Sequence, residues 1–576
     1  MTTFAAAGRA ALASAENPTW SERLLVLVEH SHRRAAAVLL VLSLVCFLPG
    51  FVSLQPMDRD EPRFAQASKQ MLESGDFVDI RFQDEARHKK PVGIYWLQSV
   101  VVAAAEAAGV AEARTTVALY RIPSLIGALA AVLLTYWAAL AFVSRRQAFL
   151  AAGMVAASII LMVEARLAKT DAMLLACCIA AMGALARAYF ARGSAQLPPS
   201  TSLVFWTAFA LGILIKGPLV IMFTGLCAFV LSIRHRSARW LIALRPALGV
   251  ALVLVLVAPW FIAISIKSGG AFYAEAVGHD MLGKVGTAQT YHWAPPGFYL
   301  LAFFATFWPA AALATIAIPY AWANRSEDAI AFALAWVVPA WLVFEAVPTK
   351  LPHYVMPLYP AIAIVTVMAM ARGFVGPHRP GARWVAALIP FIPAGLAVLM
   401  TAAAWSLDGT LPYVALPVLL AACVLAGLAW RIFVKGEVGR AAVTAIAASA
   451  VLSIGVFGLT APVLRSLKLS PRLAEVARML DCPDPAVGTL GYREPSLVFL
   501  VGTDLQMLPD GRGAAEFLKG GTCRLVFVER RFEEAFRAEA ARLGTQPALS
   551  TRISGFNING GRRLDIGAYV IRPNAG

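Results

Sequence analysis

Two groups of ionisable side chains stand at the ends of one polar stretch in a chain otherwise poor in charge. Asp58, Asp60 and Glu61 lie in Pro56-Met-Asp-Arg-Asp-Glu-Pro62, and Arg87-His88-Lys89-Lys90 closes the stretch. Carboxylates facing a cationic patch suit a reaction on an anionic substrate. The cations hold a phosphate and offset charge growing on it as it departs, while an acid group handles the acceptor's proton. A solvated loop whose charges only anchor the headgroups of membrane lipids is the plainer alternative. Further candidates lie downstream: Asp171 at the start of an apolar run, His279 and Lys284 in a second polar stretch, and Lys350 with Tyr354 in a third. Each has a simpler explanation, as helix cap, loop residue or snorkelling lysine.

These residues are held between long apolar runs. Of 576 residues, 59% are apolar and 15% charged, whereas a soluble domain carries about a quarter charged residues. Several runs exceed the roughly 20 residues needed to cross hydrocarbon, which places the chain among polytopic membrane proteins. The net charge of +16 is not a nucleic-acid signature. The arginines sit in short clusters between runs (Arg145-Arg146, Arg234/Arg236/Arg239, Arg431/Lys435/Arg440), as the positive-inside rule expects of cytoplasmic turns. Five of the seven cysteines lie inside apolar runs, and no spacing resembles a zinc site.

Fourteen runs between residues 36 and 461 are candidate spans. If 93–110 lies along the membrane or dips and returns, the basic turns all fall on the side of the N-terminal segment. The loops 56–92, 267–296, 348–353 and 406–410 then fall on the other side. This predicts about thirteen crossings, an uncleaved cytoplasmic segment 1–35, a membrane domain 36–464 with a periplasmic loop region 56–120, and a periplasmic α/β domain 465–576. Pro62 suits the first turn of a helix over about 62–74, capped by Asp60 or Glu61. Lys216-Gly217-Pro218 separates two short runs. In the C-terminal part, 496–501, 524–528 and 567–571 read as strands and 532–543 as a helix. Cys482 and Cys523, both in polar sequence, read as a disulfide in an oxidising compartment or as two separate thiols.

The residues then carry a resemblance. Asp60-Glu-Pro-Arg-Phe-Ala65, Ser74-Gly75-Asp76 and Lys90-Pro-Val…Tyr95-Trp-Leu97 resemble the first loop of the aminoarabinose transferases of lipid A, which share the GT-C fold with protein O-mannosyltransferases. Glu164-Ala-Arg-Leu-Ala-Lys-Thr-Asp171, Lys216-Gly217-Pro218, Ala258-Pro259-Trp260 and Lys350-Leu-Pro-His-Tyr-Val-Met-Pro357 follow in the same order. The resemblance implies an inverting transferase in a bacterial inner membrane, moving a sugar from a polyprenyl-phosphate donor to lipid A or another envelope glycan or lipid. It implies catalytic roles for Asp60 and Asp171. Arg63, Lys89, Lys90, Lys350, Tyr354, Lys284 and His279 would bind substrate.

One departure matters: Lys89 stands where these transferases commonly carry Glu, which puts in doubt any metal site built on that Glu. No cofactor is assigned and a divalent metal is left open. Protein as acceptor is one alternative. A transporter or flippase for the lipid-linked sugar is another, but it should place ionisable groups near the middle of its spans.

Overall fold

The computed structural model describes residues 19–57, 59–192, 197–283, 293–483 and 485–571. In hydrocarbon every backbone amide and carbonyl must be paired within the segment, so apolar runs fold as helices. Nine described helices are long and apolar enough to cross a membrane, and Leu219–His235 and Ala311–Ala323 are shorter apolar helices. The helices Val117–Ala139 and Asp171–Phe190 form the packed centre. There Gly127 permits contact that a side chain would block, because a Cβ would come 2.7 Å from the Met173 backbone. Arg166 stitches the beginning and end of the membrane domain together, donating to the Pro49 carbonyl and to Ser453 Oγ, each at 2.7 Å.

Several expected spans are interrupted. The run 148–165 divides into Arg145–Ala156 and Ile159–Glu164, and 298–320 into Phe298–Thr306 and Ala311–Ala323. Hydropathy measures apolar length and is blind to such breaks. Segment 93–110 forms the helix Gly93–Ala107, about 22 Å long and too short to cross. At its start, Gly93 packs where a Cβ would lie 2.8 Å from the Leu214 carbonyl oxygen. The Lys216-Gly217-Pro218 break is present. Gly217, at φ +66°, ends the helix Pro199–Lys216 and Pro218 precedes Leu219–His235.

Between the helices His32–Phe47 and Gly93–Ala107, the polar stretch folds as the helix Asp60–Ser74 and a short hairpin, β1 (Arg81–Phe82) and β2 (Glu85–Ala86). Arg59, not Asp60 or Glu61, takes the cap position, so both acids lie within the first turn, where the helix dipole favours negative charge.

The C-terminal domain is a five-stranded mixed sheet in the order β4 (Gln506–Met507), β3 (Ala486–Leu490), β5 (Arg524–Glu529), β7 (Arg562–Ile571), β6 (Pro547–Asn557). β4, β3 and β5 are parallel, and β7 and β6 continue antiparallel. Apolar clusters cover both faces. The strands expected at 524–528 and 567–571 are present, as is the helix expected at 532–543, here Glu533–Arg542.

The strand expected at 496–501 is instead the helix Pro495–Val501. A short, wholly apolar run has no period to separate strand from helix, and Pro495 in the first turn favours the helix. Cys482 and Cys523 form a disulfide, their Cα atoms 5.9 Å apart, joining the approaches to β3 and β5.

The domain is seated on the first loop. Gln66 donates to Thr503 Oγ1 at 2.7 Å, and Gln83 donates to the carbonyls of Thr503 and Leu505 at 3.0 and 2.8 Å. Phe499 meets Tyr120 edge-on, ring centroids 5.3 Å apart.

Candidate active site

The loop is fixed by a buried ion pair. Arg121 donates through Nε to Glu61 Oε1 at 2.7 Å and through Nη2 to Oε2 at 3.0 Å. Its remaining hydrogens reach the carbonyls of Phe51, Leu54 and Gln55 at 2.8–2.9 Å. Glu61 also accepts from the backbone amides of Met57 and Ala168. Both side chains are fully buried and satisfied, the condition under which a buried pair is tolerated. Glu61 is therefore an anchor and points away from the acidic cluster expected from the sequence. Asp58 lies outside the described residues.

Anchoring Glu61 leaves its neighbour Asp60 facing the opposite way, with a side chain 48% exposed. Arg63 and Arg87 approach its carboxylate to 4.0 Å. The recess around it would raise the acid's pKa. The positive charges of Lys169, Arg87, Arg63 and Lys90 outweigh that and hold Asp60 below the ordinary carboxylate range. Arg87 also stacks over Phe64, and His88 pairs with Asp79 Oδ1 at 2.7 Å. Of the basic quartet, Arg87 and His88 are thus buried props, while Lys89 is exposed and Lys90 half-buried.

Lys89 and Lys90 line one end of a cavity of about 640 Å³. Lys216 and Tyr354 share that lining, and the rest is apolar, including Ile213, Met222, Phe261 and Phe344. Cations in the lining of an otherwise apolar cavity match a phosphate carried on a hydrocarbon chain.

Asp171 is buried at the start of its helix and takes a hydrogen bond from Lys216 Nζ, from the last residue of another helix. His353 bridges onward: Nε2 lies 3.5 Å from Asp171 Oδ1 and Nδ1 lies 3.3 Å from Glu164 Oε1. Lys169 Nζ is 3.5 Å from Glu164, and Asp60 is within electrostatic reach of His353. Asp171, expected as a second catalytic acid with a helix cap as the simpler alternative, belongs to a five-residue network. Lys216 and His353 stood in the quoted motifs without a role. Their chain separations, 45 from Asp171 to Lys216 for instance, hide the pairing from the sequence.

Glu164, Asp171 and His353 place ligand-type atoms within 4.8 Å of one another. As a cation site they fit poorly. Lys169 and Lys216 already balance both carboxylates, and a divalent ion would add charge beside two ammonium groups.

Other expected residues fall elsewhere. Lys350 Nζ donates to the carbonyls of Phe344, Glu345 and Val347 at 3.1, 2.8 and 2.8 Å. It closes the C-terminal end of the helix Asp328–Ala346, with its three donors occupied. His279 is exposed on the π-helix Ala274–Leu282, and Lys284 lies outside the described residues.

The chain is similar to known proteins in sequence and in fold. Residues 89–262 match the family model described as dolichyl-phosphate-mannose-protein mannosyltransferase. The chain is 27% identical over 310 residues to an undecaprenyl phosphate-alpha-4-amino-4-deoxy-L-arabinose arabinosyl transferase of Erwinia tasmaniensis, covering 53% of this chain and 54% of that one. It is 26% identical over 381 residues to the same-named transferase of Edwardsiella ictaluri, covering 65% and 66%. The first of these matches thus spans little more than half of the transferase.

Among solved structures, ArnT from Cupriavidus metallidurans, bound to undecaprenyl phosphate, superposes with a TM-score of 0.72 at 19% identity, covering 92% of this chain and 97% of that one. The Archaeoglobus fulgidus oligosaccharyltransferase gives 0.52 at 12% identity, covering 91% and 70%. The chain has the GT-C fold and resembles the aminoarabinose transferase group.

Proposed function

We propose that this chain is an inverting glycosyltransferase of the bacterial inner membrane. It would take a sugar from an undecaprenyl-type phosphate and transfer it, on the periplasmic face, to lipid A or another envelope glycolipid. The observation that carries the reading is an apolar cavity lined by Lys89, Lys90 and Lys216, with Asp60 within electrostatic reach of Lys90. The transferases matched in sequence are named for this donor chemistry.

In the reaction the bond between the anomeric carbon and the phosphate oxygen breaks, and an acceptor oxygen bonds to the opposite face of the sugar. Lys90 and Lys216 offset charge growing on the leaving phosphate. Asp60 takes the acceptor's proton. Its depressed pKa keeps it ionised and ready, but by itself makes it a weak base. Donor binding resolves this. The donor's phosphodiester monoanion neutralises part of the cationic field around Asp60 and so raises its proton affinity when a donor is in place, and the second charge develops on the phosphate as it leaves. The Asp171–Lys216–His353 network fixes Lys216 against thermal drift, holding the cation where the phosphate must sit. A flippase reading is less favoured, because the ions of this network cluster at helix ends.

The test is transfer by detergent-purified protein from a radiolabelled undecaprenyl phosphate sugar to lipid A. Label in lipid A supports the reading. Movement of the intact donor across proteoliposomes without transfer would overturn it.

A further inference from the structure

The helix Leu388–Asp408 ends against the C-terminal domain. Asp408 accepts from the backbone amides of Arg465 and Ser466 at 2.6 and 2.9 Å, and Ser466 Oγ donates to the Leu407 carbonyl at 3.0 Å. Arg563, on β7, donates through Nη2 to the Ser406 carbonyl. Lys468 closes the turn begun at Arg465, its amide donating to that residue's carbonyl at 3.0 Å. Three cationic residues thus meet at one seam.

Two observations fix the depth of the seam. Leu388–Asp408 has 21 residues, about 31 Å and close to the thickness of the hydrocarbon, so its ends stand at the two faces of the bilayer. Trp405 and Tyr413 are exposed beside its C-terminal end, as aromatic rings are at the level of the headgroups. The helix leading there faces lipid through Phe391, Val398 and Leu399, all exposed.

Little in the protein holds these cations. Among the described residues, the side chains of Arg465 and Lys468 make no hydrogen bond or ion pair, and Arg465 and Arg563 are exposed. Topology does not account for them either. The positive-inside rule calls for cations at the other end of this helix, where Arg379 and Arg383 stand. We infer that the seam binds the phosphate of an anionic bilayer phospholipid of the phosphatidylglycerol kind, and so seats the C-terminal domain on the membrane. Guanidinium groups bond phosphate oxygens and the ammonium adds charge, whereas the ammonium of a zwitterionic headgroup is repelled. The source is the bilayer and not the sugar donor: no residue of this helix or of the turn 465–468 lines the cavity of Lys89 and Lys90.

The test places a benzophenone side chain at Tyr413 of the full-length protein in nanodiscs of equal parts phosphatidylglycerol and phosphatidylethanolamine. Mass spectrometry then identifies the crosslinked lipid. Phosphatidylglycerol should exceed its share of the bilayer, and Arg465→Gln or Lys468→Gln should each lower that excess about fivefold. Neither side chain bonds to the described protein, so both variants should unfold like the parent. If a variant does not fold, the parent decides: about 1 M salt, where the Debye length is about 3 Å, should remove most of the excess. Bulk proportions in the parent overturn the inference, as does an excess that survives the substitutions or, in that second case, the salt. Lipid A, added as a third component and displacing phosphatidylglycerol from the crosslink, would overturn it too, since the seam would then serve the acceptor.

Discussion

At the scale of single residues, Asp60 and its neighbour Glu61 divide two tasks that the sequence offers to both. Glu61, paired with Arg121, is structural, and Asp60, half-exposed among cations, is the proposed acid-base group. Asp60→Asn keeps volume and hydrogen bonding but removes the charge. Transfer should fall by on the order of 100-fold or more, with expression and donor binding near normal. Full turnover of this variant on a verified substrate would end the catalytic assignment. The pH dependence has a definite sign. Lys169, Arg87, Arg63 and Lys90 overcome the effect of burial and hold the Asp60 pKa down, so the ionised form persists as pH falls. In the free enzyme the acidic limb of kcat/KM should therefore lie below the ordinary aspartate value of about 3.9, with full activity above it. Lys90→Ala should act mainly on donor affinity, since a phosphate contact exists in the ground state too.

At the scale of elements, the structure separates the lysines that line the cavity from Lys350, which holds a helix. Lys350 closes the helix Asp328–Ala346 through three carbonyls. Lys350→Met strands those carbonyls and should lower stability by about 1–3 kcal/mol while leaving donor affinity within about twofold. A large loss of donor affinity at unchanged unfolding temperature would return Lys350 to the phosphate. The Glu61–Arg121 pair anchors the loop to the helix Val117–Ala139. Arg121→Met leaves a buried carboxylate unpaired and should destabilise by about 3–5 kcal/mol, read as loss of folded protein after detergent extraction. A normally folded Arg121→Met variant would show that the loop holds itself.

At the scale of the whole molecule, the C-terminal domain and the first loop form one surface, joined by Gln66, Gln83 and Phe499. Both must then lie on the same side of the membrane. An alkaline phosphatase fusion after residue 470 should be active and a green fluorescent fusion dark; the opposite pattern would place the loop in the cytoplasm and remove the periplasmic reaction. The Cys482–Cys523 bridge closes a loop of some 40 residues, a constraint on the unfolded domain of roughly 3–4 kcal/mol. Protein from the membrane should show a mobility shift on reduction and no reactive thiol at either position before it. Two free thiols in the unreduced protein would contradict the bridge.

Much of this was legible in the chain itself, because composition and hydropathy act through solvent and need no partner. Apolar length dictated membrane helices, and the grouping of Asp60 with Lys89 and Lys90 on one loop pointed to the surface proposed to react. Gly217 and Pro218 marked a break through their own backbone preferences. What depended on meeting a distant residue was decided only by the tertiary structure. Glu61 became an anchor because Arg121, 60 positions away, reaches it. Asp171 became part of a network because Lys216 and His353 converge on it from other helices. Lys350 turned to its own helix end, where three carbonyls accept its hydrogen bonds. The apolar run 496–501 became a helix because Pro495 opens its first turn and the sheet beneath it offers Leu497 and Val498 a place in the core. Pairing energy depends on distance in space, and a linear pattern carries no record of which buried charges will share it.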